Sequence, residues 1–205
     1  MSPTGNWTPF AVIAVGFLGS LIWYPDLPAA APLARWLIAL ALPTAATITY
    51  LILRGLWAEA TTDRGSETDR FAEVIHKTIA LYVVLFITAI HMLVLLNLTG
   101  AEWLRSVGPR LVVALFGGVL IAIGNLLPRT RPNLAIGIRT ARTLADRSLW
   151  IRLHRTCGRV AVVFGAVLMI SGLSVNASML GVIVGVAGPA SIVWLAMSYR
   201  RESHV

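Results

Sequence analysis

The sequence predicts an all-α membrane protein: a polytopic bundle of six transmembrane helices with an amphipathic helix on its cytoplasmic surface. Three observations carry this expectation. Of 205 residues, 57% are hydrophobic and only 13% charged, against about 25% charged in soluble domains. The apolar residues fall in long charge-free blocks, each close to the roughly 20 residues a helix needs to cross the hydrocarbon core. Basic residues gather between alternate blocks, as they do where loops face the cytoplasm.

The spans follow in order. No charged side chain precedes Asp26, so the first span covers 8–27. "AAAPLA" follows it, but its start lacks the positive charge of a cleaved signal peptide. A charge-free run at 36–53 centres the second span, 34–56. The third is placed at 71–98 and the fourth at 109–128. Residues 160–199 hold 40 positions without a charge, about two bilayer thicknesses at a helical rise of roughly 1.5 Å per residue. That run must turn, and "SVNAS" is its polar point, giving spans at 158–175 and 178–199. Trp7, Trp23, Tyr24, Trp57, Trp103 and Trp194 fall near span ends, as interfacial aromatics do. There is no internal repeat of the kind that builds inverted-repeat transporters.

Orientation comes from the basic residues. Of the 17, fourteen lie on the side of the termini and of the loops after the second and fourth spans, and Arg35, Arg105 and Arg110 lie on the other. This bias puts both termini in the cytoplasm. The net charge of +8 is therefore read by membrane side, with the lipid bilayer as partner and no direct contact with nucleic acid. A single cysteine, Cys157, excludes an intramolecular disulfide.

Residues 129–157 form the densest basic segment. Pro128 and Pro132 end the fourth span and keep the chain extended. Gly137 permits a tight bend. Thr143 and Asp146 have the spacing of a capping box, with Asp in place of Glu. Beyond them Leu149, Trp150, Leu153 and Cys157 share one helical face, with Arg147, Arg152, Arg155 and Arg159 largely elsewhere: an amphipathic basic helix expected at the membrane surface and feeding the fifth span. Headgroup attraction explains the arginines at about 1 kcal/mol each. It does not call for two prolines, Asn125, Asn133 and Gly137 at set places. The spacing predicts one folded cytoplasmic cap containing Asn125, Arg129, Arg131, Asn133, Arg139 and His154.

These residues bring a family into view. Gly124-Asn125-Leu126-Leu127-Pro128-Arg129, Arg131-Pro132-Asn133, Gly137-Ile138-Arg139-Thr140, Thr143-Leu144, Trp150 and His154-Arg155 resemble the signature of the SdpI family. Its members are multi-spanning bacterial membrane proteins, and its namesake confers immunity to a secreted sporulation-delaying peptide toxin. This chain has Ala141-Arg142 where members usually have Pro-Trp, and Leu153 where they usually have Thr. Its segment between the first two spans is short and carries no His. The resemblance implies a place in the bacterial cytoplasmic membrane, a role in toxin immunity or associated signalling, and a peptide toxin or a cytosolic repressor as partner. It marks Asn125, Pro128, Arg129, Arg131, Pro132, Asn133, Gly137, Arg139, Thr140, Trp150, His154 and Arg155 as signature residues for a partner or an anion.

Other candidates are fewer. His91 lies deep in the third span, where an ionisable group is a functional candidate by default or a hydrogen-bonded neutral His. His76 and Lys77 stand at that helix's entrance, as interfacial anchors or as members of the basic cluster. His154 and Cys157 are one helical turn apart, but two ligands make no metal site. No metal or cofactor is expected. Without a nucleophile–base pair, paired carboxylates or a phosphate-binding Gly loop, no enzyme is expected either. An alternative function is a transporter or lipid-handling protein for an anionic substrate, with Asn125, His91 and the arginines lining the path.

Overall fold

The computed structural model describes residues 7–28, 31–60, 67–133, 136–174, and 185, 186, 188, 190, 191, 194, 197 and 199. The described chain runs α1 (Thr8–Trp23), a 3-10 turn (Tyr24–Asp26), α2 (Pro32–Ala60), α3 (Glu67–Leu98), α4 (Glu102–Leu126), a 3-10 turn (Leu127–Arg129), α5 (Ala141–Ala145) and α6 (Arg147–Ser174). There is no strand among the described residues. Among the described residues, five stretches are long and apolar enough to cross a membrane: Thr8–Asp26, Pro32–Trp57, Phe71–Leu98, Glu102–Arg129 and Arg147–Ser174. The expected sixth span, 178–199, falls largely outside the described residues; those described from Gly185 to Tyr199 are helical. Large apolar side chains such as Leu18, Ile22, Leu51, Phe116, Val163 and Ile170 are exposed on these helices. In water so much exposed apolar surface would drive aggregation; against lipid tails it is at home.

Two compact units make up the chain, Met1–Leu53 with Ala80–Pro109, and Arg54–Ile79 with Arg110–Val205. In the first, α1, α2 and α3 meet around Ile13, Ala46, Tyr50, Ala80 and Val84, with Phe10 against the Tyr50 ring edge-on at 5.1 Å. A second cluster gathers Leu27, Ala39 and Leu95. The same unit buries polar groups. Ser20 Oγ lies 2.8 Å from His91 Nε2 and also within reach of the Gly16 and Ala39 carbonyls. Ser20 has one proton to give. With that proton on the Ala39 carbonyl, the closest acceptor, His91 Nε2–H donates to Ser20. His91 Nδ1 then remains buried without a partner among the described residues, as does Thr88 Oγ1.

The second unit is built on a glycine seam. Gly158, Gly165 and Gly172 recur every seventh residue on α6, facing Gly124, Gly117 and Arg110 at the same interval on α4, in antiparallel order. A Cβ on Gly165 would stand 2.6 Å from the Gly117 carbonyl oxygen, and one on Gly124 would stand 2.8 Å from that of Gly158. Only glycine lets the two backbones approach this closely, the small-residue contact that joins helices in lipid. At the far end of the seam Arg110 Nε and Nη2 donate to the Gly172 and Leu173 carbonyls at 3.3 and 3.0 Å. These are among the carbonyls a helix end leaves unbonded, where a cation also suits the dipole.

Two helices run beyond the expected spans. The amphipathic basic segment that feeds the fifth span is one helix with it, unbroken from Arg147 through Ser174. No proline interrupts it, and Gly158 serves the seam rather than a bend. α4 starts at Glu102, ahead of the expected 109, and carries Pro109 inside it.

Candidate functional site in the basic cap

The chain leaves α4 through the 3-10 turn at Leu127–Arg129, where Pro128 fixes the backbone. Thr130 closes that turn, its hydroxyl donating to the Leu127 carbonyl at 2.7 Å. Asn133, buried, folds the next stretch on itself. Its Nδ2 donates to the Arg131 carbonyl at 2.6 Å, and its Oδ1 accepts from Ile136 N–H at 2.8 Å. This is the self-bonding Asx geometry that makes Asn a turn former.

Gly137 then turns with φ +107°, and a Cβ there would overlap the His154 ring. The glycine is required twice over: for its backbone angle and for the closeness of the imidazole. Ile138, the next residue, is held at both ends. Its N–H donates to His154 Nε2 at 3.2 Å, and its carbonyl accepts the Thr143 hydroxyl at 2.8 Å. His154 Nδ1 lies 2.8 Å from the Trp150 carbonyl, which can only accept. His154 is thus the neutral Nδ1–H tautomer, and its two nitrogens are used by backbone groups, leaving none for a metal. Its ring stacks on Trp150 at 3.9 Å between centroids, and both side chains are 0% exposed. Trp150 Nε1–H in turn donates to the Thr130 carbonyl at 3.1 Å. One ladder therefore ties the turn after α4 and the Gly137 bend to the first turns of α6.

The helix starts are capped differently from the expected Thr143–Asp146 box. Thr140 and Thr143 form the box on α5: Thr143 N–H donates to Thr140 Oγ1, and Thr140 N–H to Thr143 Oγ1. Asp146 caps α6 instead, its Oδ1 accepting from Ser148 N–H at 2.7 Å and Leu149 N–H at 3.1 Å. The Ser148 hydroxyl, and after it the Leu149 amide, hold the exposed Asp146 carboxyl below its ordinary range. Two helices in tandem need two caps, so each polar side chain serves its own N-terminus.

The structure joins Pro128, Asn133, Gly137, Thr140, Trp150 and His154 into this frame. Leu149, Trp150 and Leu153 form its buried face, and Arg147, Arg152, Arg155 and Arg159 are exposed. Arg139 is exposed on the frame's outside. Asn125 stands exposed on α4 and lines a groove of about 420 Å³ with Arg155, Arg159 and Val162. A cavity of about 210 Å³ is lined by Arg129, Arg131, Arg147 and Arg155 together with Pro132. His76 and Lys77 do not line that cavity. His76 is buried and stacks on Trp57 at 4.5 Å, and Lys77 pairs with Glu73 at 2.7 Å. His91 lies in the other unit. Sequence reasoning missed the role of Thr130, for which no signal exists, and the glycine seam, for which the seven-residue interval is the signal.

Apolar spans carrying a hydrogen-bonded basic cap define a multi-spanning α-helical membrane protein. Among protein families, residues 129–198 match the model described as the SdpI/YfhL protein family, a stretch that takes in the cap and α6. Over residues 129–198 the chain is similar to that family, and its long apolar helices are those of an integral membrane protein. No curated protein and no solved structure matches it.

Proposed function

We propose that this protein confers immunity to a secreted peptide toxin, or carries the membrane signal that accompanies such immunity, from the bacterial cytoplasmic membrane. The observation that supports this reading is the overlap of the family match with the cap: the matched residues, 129–198, take in the cap from the last residue of the Leu127–Arg129 turn onward. Both termini and the cap face the cytoplasm in this reading, on the strength of the fourteen-to-three division of basic residues. A toxin arriving from outside would meet the other face. The cap is then suited to a cytosolic partner, of which a repressor protein is the kind the family suggests. The protein acts by binding and not by catalysis. Expression in a host sensitive to a sporulation-delaying-type peptide toxin tests the proposal. Survival should rise with the parent chain and fall back with Gly137→Ala if that variant still reaches the membrane. No gain in survival from the parent chain would refute the immunity reading.

A further inference from the structure

Four arginines line one cavity of about 210 Å³ at the start of α6: Arg129, Arg131, Arg147 and Arg155, with Phe71 and Ile151 among its apolar neighbours. Among the described residues that line it, none is acidic. Among the described side chains, two acids near it in sequence are committed elsewhere, Asp146 to the cap of α6 and Glu73 to Lys77. Clustered guanidinium groups repel one another, and Arg147 also sits at a helix N-terminus, where the dipole disfavours a cation. An anion in the cavity would relieve both. The backbone that carries these arginines is ordered in advance by Pro128, Pro132 and the buried bond from Trp150 to Thr130, so binding need order only their side chains.

We propose that this cavity binds the phosphate of an anionic phospholipid. Depth is the first reason to choose a lipid over free phosphate. Three membrane-spanning stretches end at residues that line the cavity, at Phe71, Arg129 and Arg147. Span ends lie at headgroup level, where anionic lipids attract basic residues. The second reason is the neighbouring groove of about 420 Å³. It shares Pro128 and Arg155 with the cavity and continues along Val162 and Val163. A phosphate diester in the cavity would place its hydrocarbon beside that apolar wall. Arginine suits the task because its planar fork meets two phosphate oxygens at once, which a lysine ammonium does not. The argument rests on Arg129, Arg147 and Arg155, and it extends beyond the immunity reading without depending on it.

The full chain, purified in a zwitterionic detergent, is titrated with short-chain phosphatidylglycerol, phosphatidylcholine or inorganic phosphate. Thermal unfolding and native mass spectrometry report binding. Phosphatidylglycerol should raise Tm saturably and remain bound; the other two should not. Arg147→Gln with Arg155→Gln should weaken that binding about tenfold or more. Arg142→Gln with Arg152→Gln removes the same charge away from both cavities and should leave binding unchanged. If the first pair fails to fold, Arg147→Lys with Arg155→Lys replaces it, with the same weakening expected in a smaller degree. Equal effects of phosphatidylcholine or of inorganic phosphate would overturn the proposal, as would an equal loss in the Arg142/Arg152 pair.

Discussion

His154 and Ile138 are joined by a hydrogen bond that only one protonation state of the imidazole can make: Ile138 N–H donates to Nε2 at 3.2 Å while Nδ1–H donates to the Trp150 carbonyl at 2.8 Å. His154→Leu keeps much of the ring's volume and removes the acceptor. It should cost about 1–3 kcal/mol, the usual loss when a buried donor is orphaned. Thermal unfolding in detergent measures it. A change within error would mean the bond contributes nothing.

Gly137 should tolerate no side chain. Gly137→Ala meets both a φ of +107° and the His154 ring, and a loss of at least about 2 kcal/mol is expected. His154→Ala added to it should recover the steric part but not the backbone part. Coupling between the two in a double-mutant cycle is the readout; simple additivity would deny the contact.

Adjacent glycines on α4 make a sharper comparison. A Cβ on Gly117 would press on the backbone of Gly165 and Met169, whereas one on Gly118 meets nothing within 4 Å. Gly118→Ala should be neutral or stabilising by up to about 1 kcal/mol. Gly117→Ala should lower the yield of folded protein in the membrane. The opposite ranking would reject the seam.

Much of this was legible in the sequence, for physical reasons that differ by element. Charge-free runs mark spans because lipid excludes charge, so Phe71–Leu98 could be read directly. Pro128, Asn133 and Gly137 announce a built cap because each restricts or frees the backbone in its own way. Where the spanning part of α6 starts was hidden, since arginines look the same on an interfacial helix as on the first turns of a span. The partner of Thr143 was hidden too: Thr140 and Asp146 both lie three residues from it, and the choice depends on where one helix stops and the next starts. The bond from Trp150 to Thr130 spans 20 residues, and no local pattern encodes such a contact.

The Asp146 cap predicts a dependence on pH. Its carboxyl is held below the ordinary range by Ser148 and Leu149. A depressed folded value means the contribution is complete above the usual carboxylate range and fades as pH falls through the folded value. Asp146→Asn, still a good cap, should flatten the acid limb of Tm against pH while changing Tm little at neutral pH. An unchanged acid limb would show that other carboxylates set it.

Sidedness can be read with cysteines placed in a Cys157→Ser background. Glu102→Cys and Arg142→Cys are both exposed positions. An impermeant maleimide should label position 102 in intact cells and position 142 only after permeabilisation, as the bias of basic residues requires. Labelling of both in intact cells would reverse the cytoplasmic assignment of the cap.

The most direct test of the cap as a folded element is amide hydrogen exchange over residues 136–145 of the full chain in detergent. The amides of Ile136, Ile138, Thr140 and Thr143 each donate to a side chain in the frame. They should exchange far more slowly than in a free chain, and His154→Leu should release Ile138. Exchange across this stretch at the free-chain rate would contradict the account and leave the segment a loose basic loop.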